Sequence, residues 1–577
     1  MIANSYRFFA VATTALSLIT IGYSAVFRAD ADKPESFKLV SIFPSETRAA
    51  VTFDGSILAS PLLDTSQGRP LLIVAASNGI IAVQDADTGA LEWQIAVPVP
   101  DGQQAELAST PALVGDKLVV LYQCLEQGRR TKHRIAVIDL TRRQVHKNFP
   151  VLTLSAEQPA ADGVATVKFN PPTAYSHAAV KHAMKPGAEL GYVYASFGNA
   201  GDEQPFHGWI FEIDMDAWQQ QGVKPAVSSV LVTTPEDKCP TTTGYGGTTE
   251  MICGGGVWTP AGPQIYQAGD DFELLAPTGN GQVDLARRDY ANAVMRLKPG
   301  LQFDPGCDAR LCANFNPGNP SADCIASCKN LFIPRLPDNN APLRPHGGEC
   351  DDKTFWECLA RMDYDLGANA PIKVKLENGS SVLVQPGKEG GVYLIDADHL
   401  GTQYDRLQIV DLCGAADDGC ALVWRGMIVT QPVMAYIDRT PVVVIATFVS
   451  DKTHPAGLVA LKIVIENGRP QFKRLWQFPD PKSPEAVRTF RSHPSLPVIA
   501  SPGKKGEPYV WVVDIEPRGV IYGVRLKDGA RAAKGFMQGA GRPLSAPVIH
   551  DNKIYIASNE PGTNKSMMEA YRIELAD

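Results

Sequence analysis

A short pattern of strands and turns recurs along almost the whole chain and limits the folds that it can form. The clearest copy, residues 58–93, begins at a small residue and Pro61, passes through apolar strands separated by turns, and ends in DADTG and Trp93. Weaker copies occupy residues 109–140, 168–216, 256–300, 371–401, 430–464, 496–529 and 545–575. An array of two-sheet sandwiches explains the regular Asp-Gly turns less well. Copies of a four-stranded unit of about 40 to 60 residues predict an all-β fold, an eight-bladed β-propeller.

The composition agrees with a fold of strands and turns. The 577 residues include 50 Gly and 44 Pro, and no long amphipathic helical pattern is present. All-β folds of this length often form one unit, so we expect residues 32–577 to be a single β-propeller domain. The net charge of −8 provides no basic surface. Nucleic acid is therefore not an expected partner.

The N-terminus has the features of an export signal. Arg7 precedes a run without charge from Phe8 to Phe27, and small residues follow at Ala29 and Ala31 with the spacing that a signal peptidase recognises. The run is also long enough to span a bilayer, so an uncleaved membrane anchor is the alternative to a cleaved signal peptide. In both cases we expect residues 1–31 to direct export, to the periplasm or another part of the cell envelope.

The cysteines are concentrated in one polar, proline-rich segment. Of the 11 cysteines, six lie between Cys307 and Cys358. A zinc cluster is one interpretation, but no histidine stands at finger spacing, and in an exported protein such a segment is more often held by disulfides. We therefore expect a disulfide-rich insertion within the propeller, at residues 301–361. Further expected pairs are Cys239 with Cys253 and Cys413 with Cys420, which leaves Cys124 unpaired.

The segment DADTGALEW, from Asp85 to Trp93, resembles a repeat of a known enzyme family. It is similar to the tryptophan-docking repeat of the quinoprotein alcohol dehydrogenases, propellers that carry pyrroloquinoline quinone (PQQ). In that repeat the Trp packs against the neighbouring blade and Thr-Gly forms the turn; later copies in this chain keep the Asp and lose the Trp. The resemblance covers about residues 50–577. The repeats imply only the fold, because scaffold propellers contain them too.

Two loops and a strand end resemble the site at which enzymes of that family hold the quinone and a metal ion. Residues 254–258 (GGGVW) are similar to the glycine-rich loop with a stacking tryptophan, so Trp258 would lie against the quinone ring. Residues 198–203 (GNAGDE) resemble the loop with a metal-binding glutamate, here Glu203, and Asn280 falls at the second ligand position. Their oxygen atoms suit a hard cation. From the residues alone, a core Trp before an ordinary β-turn is the alternative.

The segment MDYD, residues 362–365, resembles the Trp-Asp-Tyr segment that holds the catalytic aspartate. Asp363 would be the general base that takes the alcohol proton, beside the metal ion, while hydride passes to the quinone. Asp365 corresponds to the extra acidic ligand of lanthanide-dependent members, so calcium and a lanthanide are both expected ions. Lys388, in QPGKEGG, matches the basic residue that contacts the quinone oxygens; a solvated hairpin lysine is the alternative.

The second copy of the pattern matches the family in part. The family has two adjacent cysteines followed by an arginine that pairs with a PQQ carboxylate; here Gln123-Cys124 is followed by Arg129. A guanidinium at that point is suited to a bidentate pair with a carboxylate. The disulfide between adjacent cysteines cannot form, because Gln123 replaces its first half.

The resemblance implies an exported PQQ-dependent oxidoreductase that acts on a small alcohol or aldehyde. The chain has no CxxCH motif, so electrons would leave to a separate periplasmic cytochrome. The alternative is a propeller without catalysis that binds proteins in the cell envelope, with the cysteine-rich insertion as its interaction surface. Loss of the paired cysteines and the insertion between residues 344–346 and Met362 are departures from the family that keep this alternative open.

Overall fold

The computed structural model describes residues 36–199, 206–239, 241–243, 249–251, 253–336, 350, 352–409, 429–447, 457–486, 489–490, 492, 494–502, 507–515, 518–560, 562–563 and 565–576. Four features predicted above lie outside the described residues: the N-terminal segment 1–31, Glu203, Cys413 and Cys420.

Eight antiparallel sheets form the blades, which confirms the predicted all-β, eight-bladed propeller. Strands β1 (Phe37–Phe43) and β2 (Thr52–Asp54) precede blade 1 and belong to blade 8. Blade 1 contains β3 (Leu62–Asp64), β4 (Leu71–Ala75), β5 (Ile80–Asp85) and β6 (Leu91–Ala96). Blade 2 contains β7 (Gln104–Glu106), β8 (Ala112–Val114), β9 (Lys117–Glu126), β10 (Arg129–Asp139), β11 (Gln144–Val145) and β12 (Leu152–Thr153). The hairpin β13 (Glu157–Pro159) and β14 (Thr166–Lys168) leads to blade 3.

Blades 3 and 4 carry the additions to the repeat. Blade 3 contains β15 (Ala174–Tyr175), β16 (Lys181–Ala183), β17 (Tyr192–Asn199), β18 (Trp209–Asp214), helix α1 (Met215–Gln221) and β19 (Val227–Val232), and the hairpin β20 (Thr241–Thr243) and β21 (Thr249–Met251) follows. Blade 4 contains β22 (Gln264–Ala268), β23 (Asp271–Pro277), the hairpin β24 (Val283–Asp284) and β25 (Asp289–Tyr290), β26 (Val294–Leu297) and β27 (Leu331–Phe332). Helix α2 (Ala322–Ser327) lies before β27, and α3 (Phe355–Arg361) lies after it.

The remaining blades are simple four-stranded sheets, except that blade 8 is closed by strands from the N-terminal side. Blade 5 contains β28 (Ile372–Lys375), β29 (Ser381–Pro386), β30 (Gly391–Asp396) and β31 (Gln403–Gln408). Blade 6 contains β32 (Val433–Ile437), β33 (Thr440–Ala446), β34 (Leu458–Glu466) and β35 (Arg469–Phe478). Blade 7 contains β36 (Val498–Ala500), β37 (Tyr509–Asp514), β38 (Val520–Arg525) and β39 (Arg531–Phe536). Blade 8 contains β40 (Val548–His550), β41 (Lys553–Asn559) and β42 (Lys565–Leu575), with β1 paired along β42.

The central strands are apolar throughout because both of their faces are buried. In β4, Leu72 and Val74 pack into a cluster with blade 8, whereas the alternate residues Leu71 and Ile73 pack into a cluster with blade 2. Successive side chains of a strand point to opposite faces of the sheet, so each central strand contributes to two interfaces between blades. This explains why the repeats show continuous apolar runs rather than an alternation of polar and apolar residues.

The segment 301–361 is stapled by disulfides, as the cysteine pattern predicts. Cys307–Cys328 and Cys312–Cys324 enclose α2, in the connection between β26 and β27. Cys350–Cys358 ties α3 to the segment before it, and Cys239–Cys253 is also formed. Cys124 is free and buried. Among the described residues, no helix is long and apolar enough to cross a membrane.

A tryptophan joins blade 6 to blade 7 in the manner of the docking repeat. Trp476, at the end of β35, donates its indole N–H to the carbonyl of Leu526 at 2.7 Å and packs against Gly529. The equivalent glycine of blade 1, Gly89, packs against the ring of Phe43 from the closing strand β1. A docked aromatic ring therefore recurs where the sequence no longer shows the full motif.

Replacement of Gly529 by alanine should measure this docking. Gly529 has φ +72° and its Cβ would lie 2.7 Å from the Trp476 ring, whereas Gly468 has φ +76° and open space around it. We expect Gly468→Ala to lower the free energy of unfolding by about 1 kcal/mol through backbone strain, and Gly529→Ala by about 3 kcal/mol because the ring must also move. Unfolding of both variants in guanidinium chloride measures these losses. Equal losses of unfolding free energy in the two variants would contradict the docking role of Trp476.

Candidate functional site

The candidate site lies at what we call the upper face, where the second strand of a blade leads to the third and where one blade leads to the next. In blades 3 to 5 these connections meet. Trp258 follows a glycine run, and the backbone of that run binds its neighbours: the Gly255 N–H donates to the Asn280 carbonyl at 2.8 Å, and the Gly279 N–H donates to the Gly256 carbonyl at 2.7 Å. A Cβ on Gly254 would lie 1.9 Å from the Asn280 carbonyl oxygen. Only glycine allows this approach, and the approach places Trp258 beside Asn280.

The indole of Trp258 is held on its edge and on one face. Its Nε1–H donates to Asp365 Oδ2 at 3.1 Å. The His177 imidazole stacks on it, with ring centroids 5.7 Å apart and an angle of 21° between the planes. The Lys388 ammonium nitrogen lies 5.3 Å from the ring centroid, within the range of a cation–π contact. Burial lowers the pKa of His177 to about 4, so the stacked imidazole is neutral at neutral pH.

Asp365 is a buried carboxylate with only 2% of its surface exposed. Oδ2 accepts the Trp258 indole N–H and the Asn280 backbone N–H, each at 3.1 Å, and Oδ1 accepts the Ala368 N–H at 3.2 Å. Burial raises the pKa of Asp365, and the Lys388 charge opposes this most strongly, followed by the hydrogen bonds. The Asp365 main-chain carbonyl also accepts the Lys388 N–H, which ties blade 4 to blade 5.

Asp363 reaches the site from the end of helix α3. The helix begins with a capping box formed by Thr354 and Glu357 and has Met362 as its C-cap. Asp363 then adopts φ 55°, a left-handed conformation. Aspartate tolerates this conformation better than most residues. Its carboxylate is 29% exposed and pairs at 2.5 Å with the Nζ of Lys388, which is itself 2% exposed. The disulfide-stapled insertion therefore delivers the proposed base to a buried cation.

The structure brings together five of the residues predicted from the sequence, namely Trp258, Asn280, Asp363, Asp365 and Lys388. The Asn280 side-chain oxygen accepts the N–H of Gly281 at 2.8 Å. Arg129 lies differently: it is exposed at the upper tip of the β9–β10 hairpin, after the turn at residues 127–128.

Two residues that the sequence analysis did not name lie close to the site, His177 and Arg130. A bulge between Arg130 and Lys132 changes the direction of the β10 side chains. Arg130 Nε then donates to Glu106 at 3.1 Å, and its guanidinium lies 4.9 Å from the Tyr175 ring centroid, which is 5.8 Å from that of His177. For His177 the sequence signal was a ring-bearing residue before Ala178, where three other copies have Ser60, Thr110 or Thr259 before a proline.

Cys124 and Gln123 point away from each other. Cys124 is buried in the apolar cluster between blades 1 and 2, and burial raises the pKa of its thiol. The side-chain amide of Gln123, also buried, has no hydrogen-bond partner among the described residues. The two positions matched to the paired cysteines of the family therefore hold a buried polar side chain, Gln123, and a buried thiol in an apolar cluster, Cys124.

The connection that carries Asn280 also holds a pair of carboxyl groups. Asp289, 8% exposed, lies against Glu236, and Arg287 Nη1 donates to both Glu236 oxygens at 2.9 and 3.0 Å. Burial and the neighbouring charges of Glu236 and Asp284 raise the pKa of Asp289 to about 8. This pair keeps a proton at neutral pH.

The donor set of the site suits a planar anionic group with a hard cation beside it. An indole plate, a buried ammonium and an exposed carboxylate converge, and a Cβ on Gly279 would lie 3.0 Å from both Trp258 Nε1 and Asp365 Oδ2. Glycine thus keeps the space beside the indole edge free of side chain. Oxygen donors of Asp363 and Asn280 are the kind that calcium and lanthanide ions bind.

Comparison with known proteins concerns the fold. No model of a known family matches the chain, and no curated protein matches it. A solved europium-containing methanol dehydrogenase is 12% identical, covers 93% of this chain and 95% of its own, and has a TM-score of 0.51. Quinohemoprotein alcohol dehydrogenase ADHIIG from Pseudomonas putida HK5 is 12% identical over 94% of this chain and 76% of its own, with a TM-score of 0.49. At this identity the likeness shows the fold alone.

Asp289→Asn should change how stability depends on pH. The carboxyl titrates near 3.8 in the unfolded chain and at about 8 in the folded one. As pH rises through this window the unfolded chain releases the proton first, so the wild-type protein loses stability and the variant does not. We expect the two to be similar near pH 4 and the variant to be more stable by on the order of 2 kcal/mol at pH 8.5. Denaturant unfolding of both proteins at both pH values measures this. A stability difference that is the same at pH 4 and pH 8.5 would contradict the raised pKa of Asp289.

Proposed function

The chain has the eight-bladed fold of the quinoprotein alcohol and methanol dehydrogenases, and on this premise we propose that it is an exported PQQ-dependent oxidoreductase of alcohols or aldehydes. One observation carries the proposal. Lys388 lies over the Trp258 ring at 5.3 Å and pairs with the Asp363 carboxylate at 2.5 Å, so a stacking plate, a cation and a base share one point on the upper face.

Trp258 and Lys388 are the proposed binding residues for the cofactor. The indole supplies a flat apolar surface for a planar ring, and the ammonium pairs with the ring's anionic oxygens. A guanidinium would pair with a cofactor carboxylate. Arg129 is the residue matched by sequence, and Arg130 is the one that the bulge directs towards Tyr175, next to His177.

Glu203, Asn280 and Asp363 are the proposed ligands of a calcium or lanthanide ion, and Asp365 is the further ligand predicted from the sequence. All offer oxygen atoms. Bound PQQ would supply the acceptor for a hydride from the substrate carbon. The ion would polarise the quinone.

Asp363 is the proposed general base. Its carboxylate is partly exposed, so a substrate hydroxyl can reach it, and the Lys388 ammonium balances its negative charge. A base in hydrogen-bond contact takes the hydroxyl proton as the hydride leaves. Electrons would then pass to a separate periplasmic cytochrome, and the first 31 residues would direct export or anchor the protein to the membrane.

The test is turnover of primary alcohols and aldehydes by protein loaded with PQQ and either Ca²⁺ or La³⁺, with a dye as electron acceptor. We expect Asp363→Asn to lower kcat by at least about 100-fold because the base is lost, when PQQ and the metal ion are both supplied in excess. Asp139→Asn is the control, since it removes a carboxylate from the lower end of blade 2, away from the site. Absence of turnover with every substrate, or full activity of Asp363→Asn, would contradict the proposal and favour the scaffold alternative.

A further inference from the structure

The carboxylates of Asp365 and Asp363 differ in exposure and in hydrogen-bond partners, although only one residue separates them. Asp363 is 29% exposed and pairs with Lys388. Asp365 is 2% exposed and accepts hydrogen bonds from Trp258, Asn280 and Ala368. We propose that Asp365 is a positioning residue that fixes the plane of the Trp258 indole and is not a ligand of the metal ion. This rests on the proposed function only where it concerns the ion and the cofactor.

The number of acceptor sites supports this role. A carboxylate has about four lone-pair positions. Oδ2 receives two donors, the Trp258 indole N–H and the Asn280 backbone N–H, and Oδ1 receives the Ala368 N–H. At most one position is left, and the positive charge of Lys388, which acts on this carboxylate, repels a metal ion. A carboxylate that binds a trivalent ion directs its oxygen atoms at that ion, whereas the oxygen atoms of Asp365 are directed at N–H donors.

The backbone around Asp365 is locked against the Asn280 connection. The Leu366 N–H donates to Asn292 Oδ1 at 3.2 Å, and a Cβ on Gly367 would lie 2.5 Å from the Gly279 nitrogen. The Asp365 carbonyl is also engaged, by the Lys388 N–H at 3.0 Å. A carboxylate fixed at both its oxygens and its backbone cannot turn towards an ion without breaking several of these contacts.

A fixed indole plane serves a stacking site. Asp365 restrains the ring at its N–H edge, and His177 covers one face, so rotation about the Cβ bond is opposed from two directions. At the base of the side chain, a Cβ on Gly198 would lie 2.9 Å from the Trp258 Cβ, so blade 3 limits movement there too. Pre-orientation of an aromatic plate reduces the entropy lost when a planar ligand binds.

The first test uses the full chain without cofactor and follows the indole N–H signals in a ¹⁵N–¹H spectrum, with Trp258→Phe to assign the signal. If Asp365 holds the indole, Asp365→Ala should shift the Trp258 signal and speed its hydrogen exchange by at least about tenfold, since about 1.4 kcal/mol of a charged hydrogen bond is lost. Asp365→Asn keeps one acceptor oxygen and should give a smaller change. Asp139→Asn should leave the signal in place.

The second test titrates the same proteins with Tb³⁺ alone and follows its luminescence. We expect Asp365→Asn to keep the Tb³⁺ affinity within about threefold of wild type, whereas Asp363→Asn weakens it by at least about tenfold. An unchanged Trp258 signal in Asp365→Ala, or a loss of Tb³⁺ affinity in Asp365→Asn equal to that in Asp363→Asn, would overturn the inference. If the wild-type protein binds neither Tb³⁺ nor PQQ, the proposed function fails, and the indole spectrum still decides whether Asp365 holds Trp258. If Asp365→Ala does not fold, Asp365→Asn provides the same comparison.

Discussion

Burial of both faces of the central strands is the constraint on which the propeller depends. Because Leu72 faces blade 8 and Ile73 faces blade 2, each blade is completed by its neighbours, and the ring is closed when β1 pairs with β42. Strand ends and connections are then the parts of the repeat that can vary. The additions to the repeat, including two helices stapled by disulfides, accordingly lie between strands, and the candidate site lies where the connections of blades 3 to 5 meet.

The site is a place where buried charges are balanced by one another. Lys388 is almost fully buried; it pairs with the Asp363 carboxylate, and its charge also acts on Asp365, so one cation compensates two acids with different exposure. Removal of one member would leave another buried charge without compensation, which is costly in a protein interior.

Much of this arrangement could be predicted from the sequence, and the exceptions have physical causes. Apolar runs and turns predicted the eight blades, and cysteine density predicted the disulfides. The role of Trp476 was not predicted, because its partner Gly529 lies in the next blade and no local motif joins them. The position of Arg130 depends on a bulge that sequence does not reveal. His177 and the bonds of Asp365 depend on side-chain direction, which residue spacing alone does not fix.

The measurement that tests the central claim most directly is equilibrium binding of PQQ to the purified protein in the presence of Ca²⁺ or La³⁺, followed by gel filtration and an absorption spectrum. The account predicts one retained quinone for each chain, a metal ion bound with it, and loss of both the quinone band and its retention in Trp258→Ala. Trp476→Ala, which changes a docking tryptophan between blades 6 and 7, is the control that should keep the quinone. A wild-type protein that retains no quinone with either ion would contradict the account.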